Sequence, residues 1–159
     1  MDRRRLICGR NCLQLRDVRR LLSPEEGAQH AKNCWDKKLN CTESVLRGVC
    51  HAQGVELPAE AFKMATAFGG GIGCSEDICG ALVGGVLAIG AMKGRTKPEE
   101  DRLPSYDGAS KLHSWFSSRF GGTCCRSLNK SDFESQEHRV RCGGFVSEAT
   151  LETVRILRE

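Results

Sequence analysis

A glycine-rich turn followed by an unbroken apolar run constrains this chain more than any other feature. The turn covers residues 68–73 and the apolar run covers residues 78–92. Glycine allows the positive φ angles of a tight turn, and a helix that is apolar on every side must be buried. The run therefore predicts a central core helix, with Ser75 as N-cap and with Glu76 and Asp77 in its first turn.

Two other interpretations of this stretch are weaker. The apolar run is 15 residues long, whereas a membrane-spanning helix needs roughly 20, so we expect no membrane span. The glycines match neither GxGxxG nor GxxxxGK[ST], and no strand-like run precedes them, so a nucleotide-binding loop is not supported. Gly80 and Gly84 share one helix face, and their lack of side chains predicts a close contact with a neighbouring helix.

The rest of the chain also has helical patterns. Ser23-Pro24-Glu25-Glu26 is a capping box with proline at N1, and Asn40 followed by Glu43 predicts a second N-cap. Helices are expected over residues 24–39, 41–53, 58–67 and 78–92, after an Asp107 N-cap, and over 145–157. No stretch alternates with period two. The sequence therefore predicts an all-α compact bundle of five or six helices around the buried Gly/Ala-rich helix.

Length and charge favour one folded domain with a basic extension. The chain has 159 residues and a net charge of +4. Residues 1–22 hold seven arginines against two aspartates, and the remainder holds 17 basic and 18 acidic residues. We expect residues 1–22 to be flexible and residues 23–159 to form a single helical domain. Because that domain is close to neutral, it lacks the basic face of a nucleic-acid-binding protein.

Ten cysteines are unusual for a chain without a recognisable signal peptide. They are Cys8, Cys12, Cys34, Cys41, Cys50, Cys74, Cys79, Cys124, Cys125 and Cys142. The absence of a leader favours a reducing, cytoplasmic setting, where cysteines more often serve metal, cluster or thiol chemistry than structural disulfides. Cys34 and Cys50 fall within helices on apolar faces and are expected to be inert.

Four cysteines are the candidates for chemistry. Cys41 and Cys79 are predicted to begin helices, where the helix dipole favours the thiolate and lowers the pKa, although Glu76 opposes ionisation of Cys79. Cys125 and Cys142 are expected in accessible, glycine-flanked turns. Because the helices must share one small core, we expect Cys41, Cys79 and Cys125 to lie close together. The sequence has no CxxC, HExxH, ferredoxin-type run or CxxCH, so neither a metal site nor covalent haem follows from spacing.

The order of these segments resembles the redox-active proteins named for their C_GCAxxG_C_C cysteine pattern. The matching segments are Asn40-Cys41-x-Glu43-x-Val45, Phe68-Gly-Gly-Gly-Ile-Gly, Cys79-Gly-Ala-x-x-Gly84, Phe120-Gly-x-x-x-Cys125-Arg126 and Cys142. The resemblance covers about residues 28–157 and implies a redox role for Cys41, Cys79, Cys125 and Cys142. It also extends to split-Soret cytochromes, but this chain lacks their haem-attachment motif.

Two departures from the family pattern leave the cysteine pairing open. The first is the arginine-rich extension with Cys8 and Cys12. The second is the presence of Cys74 and Cys124 beside matched positions, where either could substitute for its neighbour.

Three functions remain as hypotheses. In the first, the four cysteines act in thiol–disulfide exchange or electron transfer with a redox partner protein, as an oxidoreductase or electron carrier. In the second, the same cysteines bind an iron–sulfur cluster or another metal centre. In the third, the cysteines are small core residues and the chain is a helical scaffold. The sequence identifies neither the partner nor the oligomeric state, and a homodimer is one alternative.

Overall fold

The structure is a computed structural model that describes residues 21–130 and 133–159. Its helices are α1 (Pro24–Asp36), α2 (Cys41–Gln53), α3 (Ala59–Thr66), α4 (Gly80–Lys93), α5 (Leu103–Phe120), α6 (Cys125–Leu128) and α7 (Gln136–Arg158). The described residues form no strand, only one antiparallel bridge between Ile78 and Cys124. The all-α prediction is confirmed. These residues form seven helices instead of five or six, and the four-residue α6 was not predicted.

The N-termini of α1 and α2 are capped as the sequence predicts. Ser23 Oγ accepts a hydrogen bond from the Glu26 backbone N–H at 3.1 Å, and the Glu26 carboxylate accepts one from the Ser23 N–H at 2.7 Å. Asn40 and Glu43 make the same reciprocal pair at 3.0 and 2.9 Å. Gly54 ends α2 with φ +63°. These caps determine where Cys41 lies, because it is the first residue of α2.

Helices α2, α4 and α7 share the centre of the bundle. Helix α2 packs against α1, α3, α4 and α7, and α4 packs against α2, α5 and α7. Val45 of α2, Leu82 of α4 and Val146 of α7 are almost wholly buried. Helix α4 therefore contributes buried residues to the core, but it is not enclosed. Val86 and Gly90 are exposed, so the expectation of burial on every side was wrong: only the faces of α4 that meet other helices are covered.

The predicted start of α4 was also wrong. The helix begins at Gly80 with Cys79 as N-cap, four residues after the predicted cap at Ser75. Glu76 has φ +60°, and its backbone N–H donates to the Gly70 carbonyl at 3.0 Å. A residue in the left-handed region cannot continue a right-handed helix, so the turn extends to residue 78.

The last two long helices begin earlier than predicted. Helix α5 starts at Leu103 with a proline in its first turn, so Asp107 is an interior residue and not the cap. Helix α7 starts at Gln136, where Ser135 Oγ accepts a hydrogen bond from the His138 N–H at 3.1 Å. The polar segment before residue 145 hid this start because it carries few apolar residues.

Two further findings concern the ends and surface of the chain. Residues 1–20, which include most of the predicted basic extension with Cys8 and Cys12, lie outside the described residues. Across the described ranges, no helix combines the length and the apolar character needed to cross a membrane.

Candidate functional site

The four predicted cysteines line one cavity of about 350 Å³. Cys41 is the first residue of α2, Cys79 is the N-cap of α4, Cys125 is the first residue of α6, and Cys142 lies in the second turn of α7. The structure therefore brings together four thiols from four separate elements. We call this the four-cysteine cavity.

Backbone hydrogen bonds hold Cys79 and Cys125 beside each other. The Cys79 N–H donates to the Thr123 carbonyl at 2.7 Å, and the Cys125 N–H donates to the Asp77 carbonyl at 2.5 Å. These bonds flank the bridge between residues 78 and 124. The segment before α4 and the segment before α6 thus form a short two-stranded contact that carries both cysteines into the cavity.

Two glycines allow the cysteine-bearing elements to approach. A Cβ on Gly80 would collide with Cys41 Sγ and would lie 2.7 Å from Thr42 Oγ1. A Cβ on Gly71, which has φ +71°, would lie 2.8 Å from the Cβ of Cys125. Both distances are shorter than van der Waals contact allows. Only glycine at these two positions lets the glycine-rich turn and the start of α4 pack against the cysteine-bearing segments.

The predicted lowering of the Cys41 pKa was wrong. Burial raises the pKa of Cys41, while hydrogen bonds from the Gly70 backbone and from Thr42 act in the opposite direction. The helix start does supply the donors that were expected. Removal of the thiolate from water outweighs them, and the extent of that removal depends on the surrounding segments.

The other three cysteines are held in the thiol form as well. Burial raises the pKa of Cys125 to about 11 and of Cys142 to about 12, and it also raises the pKa of Cys79. A thiolate at Cys41 would raise the pKa of all three, and it is a neighbour that all three share. In the reduced protein at neutral pH, Cys41, Cys79, Cys125 and Cys142 are therefore neutral thiols.

Cys125 and Cys142 were expected in accessible turns, and this expectation was wrong. Both are buried, at 6% and 7% exposure, and each lies in a helix, α6 or α7, where the packed bundle covers it. Cys41 is partly exposed and is the least buried of the four.

Asn129 is a site residue that the sequence analysis missed. Its Nδ2 donates to Cys142 Sγ at 3.1 Å, and its Oδ1 accepts from Arg141 Nη1 at 3.2 Å. The same side chain hydrogen-bonds Cys125 and lowers the pKa of that thiol against the effect of burial. Nothing local in the sequence marks Asn129, since its partner at residue 142 lies on another helix.

The cavity wall also includes aromatic side chains. Trp35, Phe133, His138 and Phe145 contribute to its wall. Trp35 is fixed by a hydrogen bond from its Nε1 to the Arg139 carbonyl at 3.1 Å. The His138 ring packs against Phe133 with 4.6 Å between centroids. These residues give the thiols apolar surroundings, which is the physical cause of their raised pKa values.

The two additional cysteines have different positions. Cys74 lines the cavity and is exposed, with φ +64°. Cys124 is exposed and is not part of the cavity wall. Hydrogen bonds from the backbone and hydroxyl of Ser127 lower the pKa of Cys124. Cys50 is buried away from the cavity, as predicted, and Cys34 is partly exposed.

The arrangement of the ligating side chains differs from that of a metal site. Within residues 21–130 and 133–159, no group of three or more His, Cys, Asp or Glu side chains is arranged to hold a metal ion. The four sulfurs therefore share a cavity without forming a ready ligand set.

The described residues thus form a helical bundle in which four cysteines line one partly open cavity. Residues 39–156 match the family described as "Putative redox-active protein (C_GCAxxG_C_C)", and the chain belongs to that family. It is also similar to a protein of Archaeoglobus fulgidus named "Uncharacterized protein", with 30% identity over 129 residues, 76% of this chain and 85% of the relative. No solved structure matches the chain.

Proposed function

We propose that this chain is a thiol redox protein in which Cys41 and one buried cysteine of the cavity cycle between dithiol and disulfide. One observation carries the proposal: four cysteines distant in sequence line a single cavity. Thiols that served only as small apolar residues would not need to converge. Exchange with a partner disulfide is the chemistry that neighbouring thiols support best.

Cys41 is the proposed attacking thiol. It is the least buried of the four, and backbone and side-chain donors from Gly70 and Thr42 stabilise its thiolate against burial. Attack requires the thiolate and access to the target sulfur. As whole residues, Cys79, Cys125 and Cys142 are more buried than Cys41, and a thiolate at Cys41 raises the pKa of all three. They are suited to the second step, inside the cavity.

The proposed reaction conserves protons and electrons. The Cys41 thiolate attacks one sulfur of a disulfide on a partner protein, which forms a mixed disulfide and releases one partner thiolate. A second cavity cysteine loses its proton and attacks the Cys41 sulfur, which forms the internal disulfide and releases the second partner thiolate. The partner gains two electrons and, after protonation, two protons, and this chain is oxidised by two electrons.

The raised pKa values imply a slow reaction with small reagents. The thiolate fraction of a cysteine with a raised pKa is small at neutral pH. A docked partner that brings a positive charge close to the cavity would increase that fraction. Activity is therefore expected to depend on the partner.

An iron–sulfur cluster on the same four cysteines is the alternative function. Four thiolates are the usual ligands of such clusters, and one cavity holds them here. Against it stands the absence of any ready group of three or more ligating side chains in the described residues. Cluster binding would therefore require the cysteines to move, with Cys74 available as a substitute ligand at the cavity wall.

A redox titration with matched variants tests the proposal. The protein is purified without oxygen, analysed for iron and sulfide, and equilibrated in glutathione buffers, and its disulfides are mapped by mass spectrometry. We expect a colourless, metal-free protein with one reversible two-electron couple. Cys41→Ser should abolish the couple. Cys34→Ser, at a partly exposed cysteine outside the cavity, should leave it unchanged.

Two results would contradict the thiol mechanism. A brown protein with stoichiometric iron and sulfide would favour the cluster. A protein in which no glutathione potential produces a disulfide that includes Cys41 would favour the scaffold, in which the cysteines only fill space.

A further inference from the structure

A second cavity lies apart from the cysteines of the proposed redox site. Its volume is about 510 Å³, and it shares no lining residue with the four-cysteine cavity. Its wall comes from α1, from the C-terminal half of α2, from residues 54–57 and from α3. Neither the family pattern nor the proposed redox chemistry uses this site.

Three basic side chains converge on this cavity. His30 of α1 and His51 of α2 stack with 4.0 Å between ring centroids and 18° between planes. Arg47 lies four residues before His51 and therefore on the same helix face. All three residues line the cavity. Side chains of one charge type are rarely brought together unless an opposite charge compensates for them.

Arg47 is held in place but incompletely bonded. Its guanidinium carbon lies 4.2 Å from the centroid of the Phe62 ring. Its Nε is buried and has no hydrogen-bond partner among the described residues. A buried donor without a partner is costly. Because the Arg47 side chain lines the cavity, an anion bound there would stabilise its incompletely bonded guanidinium.

Burial and nearby basic groups disfavour the protonated form of His30. Burial lowers the pKa of His30, and His51, Arg47 and Lys37 lower it further. Cys50 adds no negative charge, because burial raises its pKa to about 11. Glu56 is the single acidic residue among those that line the cavity, so one carboxylate accompanies three basic side chains.

We propose that this cavity binds a small organic anion with an apolar body. The anionic head would accept hydrogen bonds from Arg47, His30 and His51. The body would rest on Leu22, Leu57 and Phe62, which supply the apolar part of the wall. Phosphate esters and carboxylates share this chemistry, and the volume exceeds that of either head group alone.

The charge arrangement gives the site a defined pH dependence. An anion favours protonated histidine, so binding raises the pKa of His30 from its lowered value. Affinity should therefore increase as the pH falls through the range between the pKa of bound and free protein. A neutral compound of the same shape lacks this charge and should not bind at any of these pH values.

NMR titration of the full-length reduced protein tests the proposal. Phenyl phosphate, benzoate, inorganic phosphate and benzyl alcohol are added separately, and the ring signals of His30 and His51 are followed after assignment with His30→Gln and His51→Gln. We expect both signals to move with phenyl phosphate or benzoate, weaker binding of inorganic phosphate, and no binding of benzyl alcohol.

Matched arginine variants identify the contact. Arg47→Met should weaken binding about tenfold or more, since a charge-assisted hydrogen bond is lost. Arg47→Lys keeps the charge but removes the planar donor group, so this variant should bind with intermediate affinity. It keeps the test informative if the Arg47→Met protein does not fold. Arg119→Met is the control, because Arg119 is exposed and pairs with Glu148 instead.

The site is refuted if neither organic anion moves the histidine signals at any soluble concentration, or if a correctly folded Arg47→Met protein binds as tightly as the parent. Equal binding of inorganic phosphate and phenyl phosphate would refute the apolar part of the site. Equal binding of benzyl alcohol and benzoate would refute its selectivity for anions.

Discussion

Replacement of Gly84 by alanine is expected to destabilise the protein, although alanine is the better helix former. The gain in helix propensity is about 0.8–1.0 kcal/mol. The added Cβ, however, would lie 2.7 Å from the Thr42 carbonyl oxygen and 2.8 Å from Val45 Cβ. These distances confirm the close contact that the sequence predicts for this face of α4. Both neighbouring atoms are rigid, because one is backbone and the other belongs to a β-branched side chain in α2.

The net change in stability follows from the size of these two opposing effects. Overpacking costs about 1–3 kcal/mol, and the rigid neighbours favour the upper part of this range. The expected net loss for Gly84→Ala is therefore roughly 1–2 kcal/mol. At about 2–4 °C for each kcal/mol in a chain of this size, the melting temperature should fall measurably. Gly84→Leu should be worse, because its longer side chain meets the same atoms.

The same helix offers a matched control. Gly90 also lies in α4, but a Cβ there would meet nothing within 4 Å. Gly90→Ala should therefore show the gain in helix propensity alone and stabilise the protein by up to about 1 kcal/mol. The two variants make the same chemical change in one helix and are expected to have opposite effects.

Urea unfolding of the reduced protein, followed by circular dichroism at about 222 nm, measures both changes. A Gly84→Ala protein at least as stable as the parent would refute the close α2–α4 contact. A clearly destabilised Gly90→Ala protein would show that helix propensity does not govern the exposed face of α4.

Two further predictions concern the four-cysteine cavity. Asn129→Ala removes the donor to Cys142, so the pKa of that thiol should rise further and the free energy of unfolding should fall by about 0.5–1.5 kcal/mol. The pKa is measured from alkylation rates at a series of pH values, followed by mass spectrometry. An unchanged pH profile for Cys142 would contradict the positioning role of Asn129. In reducing buffer, the free energy of unfolding should fall as the pH rises from 9.0, the ordinary cysteine pKa, through the folded-state values of about 11 for Cys125 and about 12 for Cys142. The reason is that a group whose pKa is raised by folding stabilises the protein below its unfolded pKa. This stabilisation is lost as the pH passes the folded pKa. In urea titrations at the same pH values, the free energy of unfolding of Cys125→Ser should fall less steeply with pH than that of the parent. An equal slope would show that the loss of stability at alkaline pH arises from other groups.

The parts of the fold that the sequence predicts well are those governed by local interactions. The capping boxes at Ser23 and Asn40 are hydrogen bonds between residues three apart, so a few letters of sequence are enough to identify them. Gly54 ends α2 for an equally local reason. Where the local signal was ambiguous, as at Ser75 and Asp107, the predicted helix start was wrong.

The features of the site that sequence could not predict depend on contacts between distant segments. Cys41, Cys79, Cys125 and Cys142 do line one cavity, but their environment differs from the one expected. Helix starts favour a thiolate, whereas burial disfavours it, and only the packed structure shows that burial has the stronger influence on the pKa.

Asn129 and the second cavity illustrate the same limit. Asn129 meets Cys142 only because α6 and α7 fold together, and His30 meets His51 only because α1 packs on α2. The sequence by itself determined the helical class, the N-caps of α1 and α2 and the family to which the cysteine pattern belongs. Tertiary structure decided which side chains face one another and how much water they lose, since solvation and electrostatics act through space and not along the chain.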